Sequence, residues 1–397
     1  MGILILVNRK HILIEMKFFL ILFILLHPML NGQIGKSSMQ SKAFYPAKKW
    51  VDQNGIHINA HGGGVMFYNN LYYWYGQHMI EGKIGNTAQV GVHLYSSSDL
   101  YNWKDEGIVF KVNDDKGSEI EKGCIIERPK VVYNKPTNTF VMWFHLELIN
   151  QGYDAARTGV AISNSPYGPF KYIKSIRPNA GVWPLNANDF HKKPLKSSLN
   201  RKYCGGIGCL PEHVDSLNIL GRDFKTGQMS RDMTIFVDDD NKAYQIYSSE
   251  ENSTLHISQL SEDYLSHSGN YMRFFPNRYM EAPTVMKTSK GKYFLIASDC
   301  TGWAPNAARS AVADNIFGPW TELENPCVGI NKQTTFNSQG TYILPIKNKS
   351  DAFIFMADRW NPNNPIDGEY VWLPLKIIDN KIVKLEWYEE WNLNVFN

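Results

Sequence analysis

Five polar side chains stand at equivalent points of five otherwise apolar stretches: His61, Glu127, Asp232, Glu281 and Gln339. Three of them are carboxylic acids. Cleavage of a glycosidic bond needs such a set, with one protonated carboxyl for the leaving oxygen and a second group on the opposite face of the sugar to handle water. An acid stays protonated near neutrality when its surroundings are partly dry and a second carboxylate crowds it. On this reading Glu281 is the general acid, and Asp232 is the neighbour that tunes it and holds a sugar hydroxyl. Trp303, in "CTGWAPN", offers an apolar face to a sugar ring, while most other Trp and Tyr residues are read as core.

The elements that would carry these groups are hairpins. Five times the chain writes a strand, a turn rich in Asn, Asp, Gly or Lys, and a second strand that opens on an aromatic. The stretches are "HGGGVMFYNNLYYWYG", "ERPKVVYNKPTNTFVMWFH", "RDMTIFVDDDNKAYQIYSS", "EAPTVMKTSKGKYFLIAS" and "SQGTYILPIKNKSDAFIFMAD". A third strand follows most of them, as in "VGVHLYSSSDLYNW" and "TGVAISNSPYGPFKYI". Radial repetition of such units predicts an all-β, single-domain, five-bladed β-propeller over residues 33–397. First strands then begin near residues 61, 127, 232, 281 and 339 and line a central channel, so the five polar groups converge on one axis. The long second gap marks an insertion at about 176–229, and a loop of that length is usually functional or separately ordered. Gly62, Gly63 and Gly64 are expected to let one wall of the pocket come close to a ligand.

Composition agrees. Aromatics make up 13% of 397 residues, which suits pleated, half-buried surfaces, and a formal net charge of +3 supplies no field for nucleic acid. The expected partner is an oligosaccharide or polysaccharide. From Met16, "MKFFLILFILLHPMLNGQ" has the form of a secretory signal, so residues 1–32 are expected to be removed, with residues 1–15 read as a misread upstream start. The mature chain is then exported, periplasmic or secreted, with no stable membrane span. Of five cysteines, Cys204 and Cys209 could close a small loop, Cys300 and Cys327 could pair, and buried thiols account for them equally well. No cofactor is required. The "DDDNK" run at 238–242 has the make-up of a calcium loop, but a hairpin turn explains it better.

These motifs together resemble family 43 of the glycoside hydrolases, five-bladed propellers that invert at the anomeric carbon, and above all its exo-β-1,3-galactanase branch. The likeness spans roughly residues 48 to 392 and rests on "INAHGGG", "YYWYG", "SSDLYNW", "ERPKV", "MWFH", "SRDMTIFVDDD", "EAP", "CTGWAPN", "FNSQGTY" and "DRW". The resemblance implies that Glu281 is the general acid, that Asp232 matches the pKa-tuning aspartate, that Glu127 binds sugar, and that Gln339 stands where water is handled. It also implies release of galactose from β-1,3-galactan. The aspartate base that the wider family carries on its first blade is missing from "NAHGGG", and a neutral amide is a poor base, so the base is left open among Gln339, Glu127 and His61. Gln77 departs from a carboxylate expected to hold a sugar hydroxyl, and Cys300 stands where a hydroxyl residue can occur. With His61, Tyr153, Trp303 and Arg359 they complete the candidate sugar-binding set. The alternatives are an α-L-arabinofuranosidase or β-xylosidase on the same fold, or a non-catalytic sugar-binding propeller.

Overall fold

A computed structural model describes residues 40–193 and 218–397. The expected signal sequence, Cys204, Cys209 and the middle of the insertion lie outside the described residues. Five antiparallel sheets follow one another along the chain, each built from neighbouring hairpins, and the fifth gains a short parallel strand at Cys327–Val328. The inner strands are His61–Tyr68, Ile125–Asn134, Met233–Val237, Glu281–Lys287 and Gln339–Pro345. Each packs against the next and the last returns to the first, which closes the ring of a five-bladed propeller.

Local chemistry explains the hairpins. Asn69 and Asn70 both take positive φ (47° and 62°), which a two-residue turn between right-twisted strands demands and asparagine tolerates. "DDDNK" is likewise a turn, and its carboxylates are taken by lysines: Asp238 and Asp239 lie 2.6 and 2.8 Å from Lys287 Nζ, and Asp240 lies 2.6 Å from Lys242 Nζ. Between blades the core is aromatic and aliphatic. Trp74, Trp103, Trp372, Trp391 and Tyr370 meet where the first and fifth blades join. Cys300 and Cys327 remain thiols, buried in separate surroundings, so the pairing considered for them is not formed.

Three inner strands share one irregularity. After His61, Glu127 and Glu281 the ladder gains a single extra residue, so that His61 and Gly64 face Gln77 and Tyr75, and the same slip recurs at Glu127/Lys130 and Glu281/Thr284. The residue that follows each opening side chain is left-handed: Gly62 (φ 60°), Arg128 (φ 55°) and Ala282 (φ 48°). Such a bulge bends a strand and re-aims the side chain before it.

The glycine run divides its work accordingly. Only Gly62 reaches the axial cavity. A Cβ on Gly63 would lie 2.2 Å from the Tyr75 carbonyl oxygen, and one on Gly64 would lie 2.6 Å from Lys130 Cδ. The expectation that all three glycines serve a ligand is corrected: two of them serve packing. The space left by Gly64 admits the buried Lys130, whose ammonium donates to the Gly62 carbonyl at 2.9 Å and to the Arg128 carbonyl at 3.3 Å.

Candidate active site

A cavity of about 470 Å³ opens on the propeller axis. Its wall takes in Glu127, Asp232, Glu281 and Gln339 from four inner strands or their immediate starts, together with Gln77, Tyr153, Cys300 and Trp303. Two expected residues are elsewhere. His61 is fully buried behind the wall, stacked on Tyr370 with ring centroids 5.3 Å apart. The absence of a side chain at Gly368 admits the ring, since a Cβ there would come 2.9 Å from His61 Cε1. Arg359 borders an adjoining cleft of about 140 Å³ and donates to the carbonyls of Phe336 and Asn337. Its neighbour Trp360 is the one that lines the main cavity.

Arg128 organises the acidic side. Its Nε and Nη2 donate to the two oxygens of Asp232 at 3.1 and 2.8 Å, a forked pair, while Nη1 donates to the Gly340 carbonyl at 2.9 Å. Nη2 also donates to Gln339 Oε1 at 2.7 Å. Asp232 Oδ2 accepts the backbone N–H of Ala282 at 3.1 Å, so this carboxylate is tied to the residue that follows Glu281.

Glu281 Oε1 accepts from Asn252 Nδ2 at 2.9 Å and from the Cys300 thiol at 3.0 Å. Burial, followed by the negative charge of Asp232, raises its pKa from 4.5 to about 8, against the smaller opposing pulls of Cys300, Arg128 and Arg231. Glu281 therefore carries a proton at neutral pH. With Oε1 engaged by two donors, that proton belongs on Oε2.

Glu127 is its opposite. Burial would raise its pKa, but His145 overcomes this by hydrogen bond and charge, helped by Asn86 and Tyr153, and the value falls to about 2. His145 lies between Glu127 (2.9 Å) and Glu147 (2.8 Å), and although burial works against its charged form, the two carboxylates lift its pKa to about 10. Glu127 Oε1 accepts from Tyr153 Oη at 2.7 Å and from Asn86 Nδ2 at 2.8 Å. Gln77 stands behind Asn86, with Nε2 donating to the Asn86 backbone carbonyl at 2.9 Å and to Oδ1 at 3.0 Å. The donor that a carboxylate would lack at position 77 is thus used to orient the amide that holds Glu127.

Gln339 is bound at both ends of its amide. Oε1 accepts from Arg128 and from Trp360 Nε1 at 2.9 Å, and Nε2 donates to Ser298 Oγ at 2.9 Å. Arg128 and Trp360 are obligate donors, so the amide orientation is fixed. Trp303 and Trp360 meet edge to face, 5.7 Å between centroids, at the mouth. Arg128, His145 and Trp360 sit inside "ERPKV", "MWFH" and "DRW", motifs that the sequence marks without pointing to these three side chains. Asn86 and Asn252 carry no signal in sequence.

Glu127, His145 and Asp232 bring ligand atoms within 4.8 Å of one another. Their ligand atoms are already engaged: both ring nitrogens of His145 lie against carboxylates, Glu127 at 2.9 Å and Glu147 at 2.8 Å, and both oxygens of Asp232 are forked by Arg128.

An axial propeller cavity that sets a protonated carboxyl beside an ionised one is the apparatus of a glycoside hydrolase. A family model described as Glycosyl hydrolases family 43 matches residues 214–361. A family 43 β-1,3-galactosidase solved with galactodeoxynojirimycin is 47% identical, covering 88% of this chain and 100% of its own, with a TM-score of 0.82. An exo-β-1,3-galactanase from Clostridium thermocellum is 33% identical, over 88% of this chain and 66% of its own, with a TM-score of 0.71. The exo-β-1,3-galactanase of Phanerochaete chrysosporium, solved with galactose, is 28% identical over 89% of this chain and 70% of its own, with a TM-score of 0.69. No curated protein sequence matches. The chain belongs to glycoside hydrolase family 43.

Proposed function

We infer that the protein is an exo-acting β-1,3-galactosidase that releases galactose from the end of β-1,3-galactan with inversion. The observation that carries this reading is the placement of Glu281 on the wall of a sugar-sized cavity, held by Asn252 and Cys300 through one oxygen so that the other can give up a proton, with burial and the charge of Asp232 favouring its protonated form. The sugar is inferred from the family 43 relative solved with a galactose-like imino sugar and from two relatives described as exo-β-1,3-galactanases.

In the reaction Glu281 Oε2 gives its proton to the glycosidic oxygen as the bond to the anomeric carbon breaks. Glu127, ionised and fixed by three donors, accepts hydrogen bonds from sugar hydroxyls. Its low basicity removes it as the base. Gln339 marks the place of the attacking water and orients it, with Arg128 and Trp360 holding the amide still. As the water oxygen bonds to the anomeric carbon it gives up a proton to solvent water, and Glu281 regains its own from solvent. Residues 1–32, read as a signal sequence, make this an exported enzyme acting on polysaccharide outside the cytoplasm.

Incubation with β-1,3-galactotriose, followed by chromatography, is expected to give galactose as the first product, and proton NMR is expected to show the inverted anomer. Release of arabinose or xylose from arabinosyl or xylosyl substrates, with none from the galactan, would overturn the substrate assignment. Glu281→Gln is expected to lower kcat by roughly 10²- to 10⁴-fold, the usual worth of general acid catalysis.

A further inference from the structure

The hairpin loop Glu250–Ser253 of the third blade breaks two habits of loops. It is buried, with Glu250 and Glu251 each 2% exposed, whereas connecting loops run over surfaces and carboxylates seldom lie so deep. Three successive residues that are not glycine are also left-handed: Glu250 (φ 49°), Glu251 (φ 59°) and Asn252 (φ 65°). Such a conformation persists only where the surroundings over-determine it, and it gathers at functional sites.

Ion pairs supply that determination. Glu250 is forked by Arg273 at 2.9 and 2.7 Å and receives His256 Nε2 at 2.8 Å. Glu251 Oε1 lies 2.8 Å from Arg222 Nη1, and its Oε2 lies 3.4 Å from Arg231 Nη2. Arg222 belongs to the insertion, at the end of the short helix Ile219–Arg222, and Asp223 holds its Nε and Nη2 at 2.8 and 2.9 Å. The third left-handed residue, Asn252, is the one whose amide donates to Glu281 Oε1.

We propose that the insertion takes part in the chemistry: Arg222, acting through Glu251, fixes the left-handed loop so that Asn252 holds Glu281 by Oε1. Arg222, Glu251 and Asn252 are then positioning residues, and the insertion is a structural arm of the acid. Without the Asn252 amide, Oε1 is left with the thiol donor of Cys300, a weaker hold on the side from which no proton is to be delivered. This rests on the reading of Glu281 as the acid.

The test is a double-mutant cycle on the full chain with β-1,3-galactobiose. Asn252→Ala is expected to lower kcat by roughly 10- to 100-fold with KM within twofold, the scale of a small misplacement of a reacting group. Arg222→Met lowers kcat by a smaller factor and adds nothing in the Asn252→Ala background, because both act through one contact. Arg222→Lys, which keeps the charge against Glu251, recovers most of the loss. The crystal structure of the Arg222→Met protein, a readout that needs no turnover, shows Asn252 Nδ2 withdrawn from Glu281 Oε1.

An undiminished Arg222→Met effect in the Asn252→Ala background overturns the proposal, as does an unmoved Asn252 in the crystal. Glu281→Gln, assayed in the same series, separates this from the acid reading. Full turnover by that variant removes the acid assignment, whereas a dead Glu281→Gln with uncoupled Arg222 and Asn252 removes only the brace.

Discussion

Glu281 and Glu127 are the same side chain in one cavity, and their partners send them to opposite protonation states. Donors surround Glu127 on both oxygens, whereas Glu281 has donors on one oxygen and feels the negative charge of Asp232. Because the acid must be protonated to work, activity is expected to hold below about pH 8 and to fall as pH rises through that value. Asp232→Asn takes away the charge that opposes ionisation and leaves Arg128 without its counter-ion, and both changes favour the Glu281 carboxylate. The alkaline limb of kcat/KM, measured across pH 5 to 10, therefore moves to lower pH in this variant. A limb that stays in place would show that burial alone sets the acid. Gln77 supports a second expectation at this scale. Gln77→Glu turns a donor into an acceptor that faces two acceptors of Asn86, so the hold on Glu127 loosens and KM for the galactan rises, with kcat changed less.

Strands bring these side chains to the axis, and the bulges after His61, Glu127 and Glu281 decide where they point. Gly62 and Gly63 test that division of labour. Gly62→Ala places a Cβ at φ 60° but meets nothing nearer than 3.5 Å, so its cost is about 1 kcal/mol of backbone strain, with a changed KM because the residue lines the cavity. Gly63→Ala drives a methyl to 2.2 Å from the Tyr75 carbonyl oxygen, which must move, at about 3 kcal/mol or more. Urea unfolding of both variants gives the order, and a Gly63→Ala protein as stable as Gly62→Ala would contradict it. The blades themselves were legible in the sequence, because hairpin grammar is local: turn residues such as Asn69-Asn70 and alternating aromatics can be read without knowing the partner strand. Bulges were not, since an extra residue is a property of pairing and leaves no mark in one strand. The same limit put Arg359 forward in place of Trp360, as adjacent residues at a strand end face opposite ways. It also put His61 on the pocket wall, although a glycine three hundred residues away admits its ring elsewhere. Asn252 reaches Glu281 from a loop on another blade, a contact that only the closed ring creates.

At the scale of the whole molecule, the described chain is fastened where it begins and ends. Phe44 N–H donates to the Trp391 carbonyl at 2.7 Å, and Trp391 N–H returns a bond to Phe44 at 3.1 Å beside the aromatic cluster of the first and fifth blades. Glu281 ionises near 4.5 when unfolded and near 8 when folded, so the folded state binds the extra proton. Its contribution is fully present below pH 4.5 and is lost as pH rises through about 8, where the folded protein must bury a carboxylate next to Asp232. Glu281→Gln removes that group while keeping an oxygen for Asn252 and Cys300. At pH 5 the variant and the parent should unfold at similar temperatures. Between pH 5 and 9 the variant should pull ahead by several degrees in Tm, the scale of the roughly 4 kcal/mol that a shift from 4.5 to about 8 represents. Calorimetry at both pH values measures the difference, and a gap that is constant or narrows with pH would mean that the acid is not held against its own ionisation.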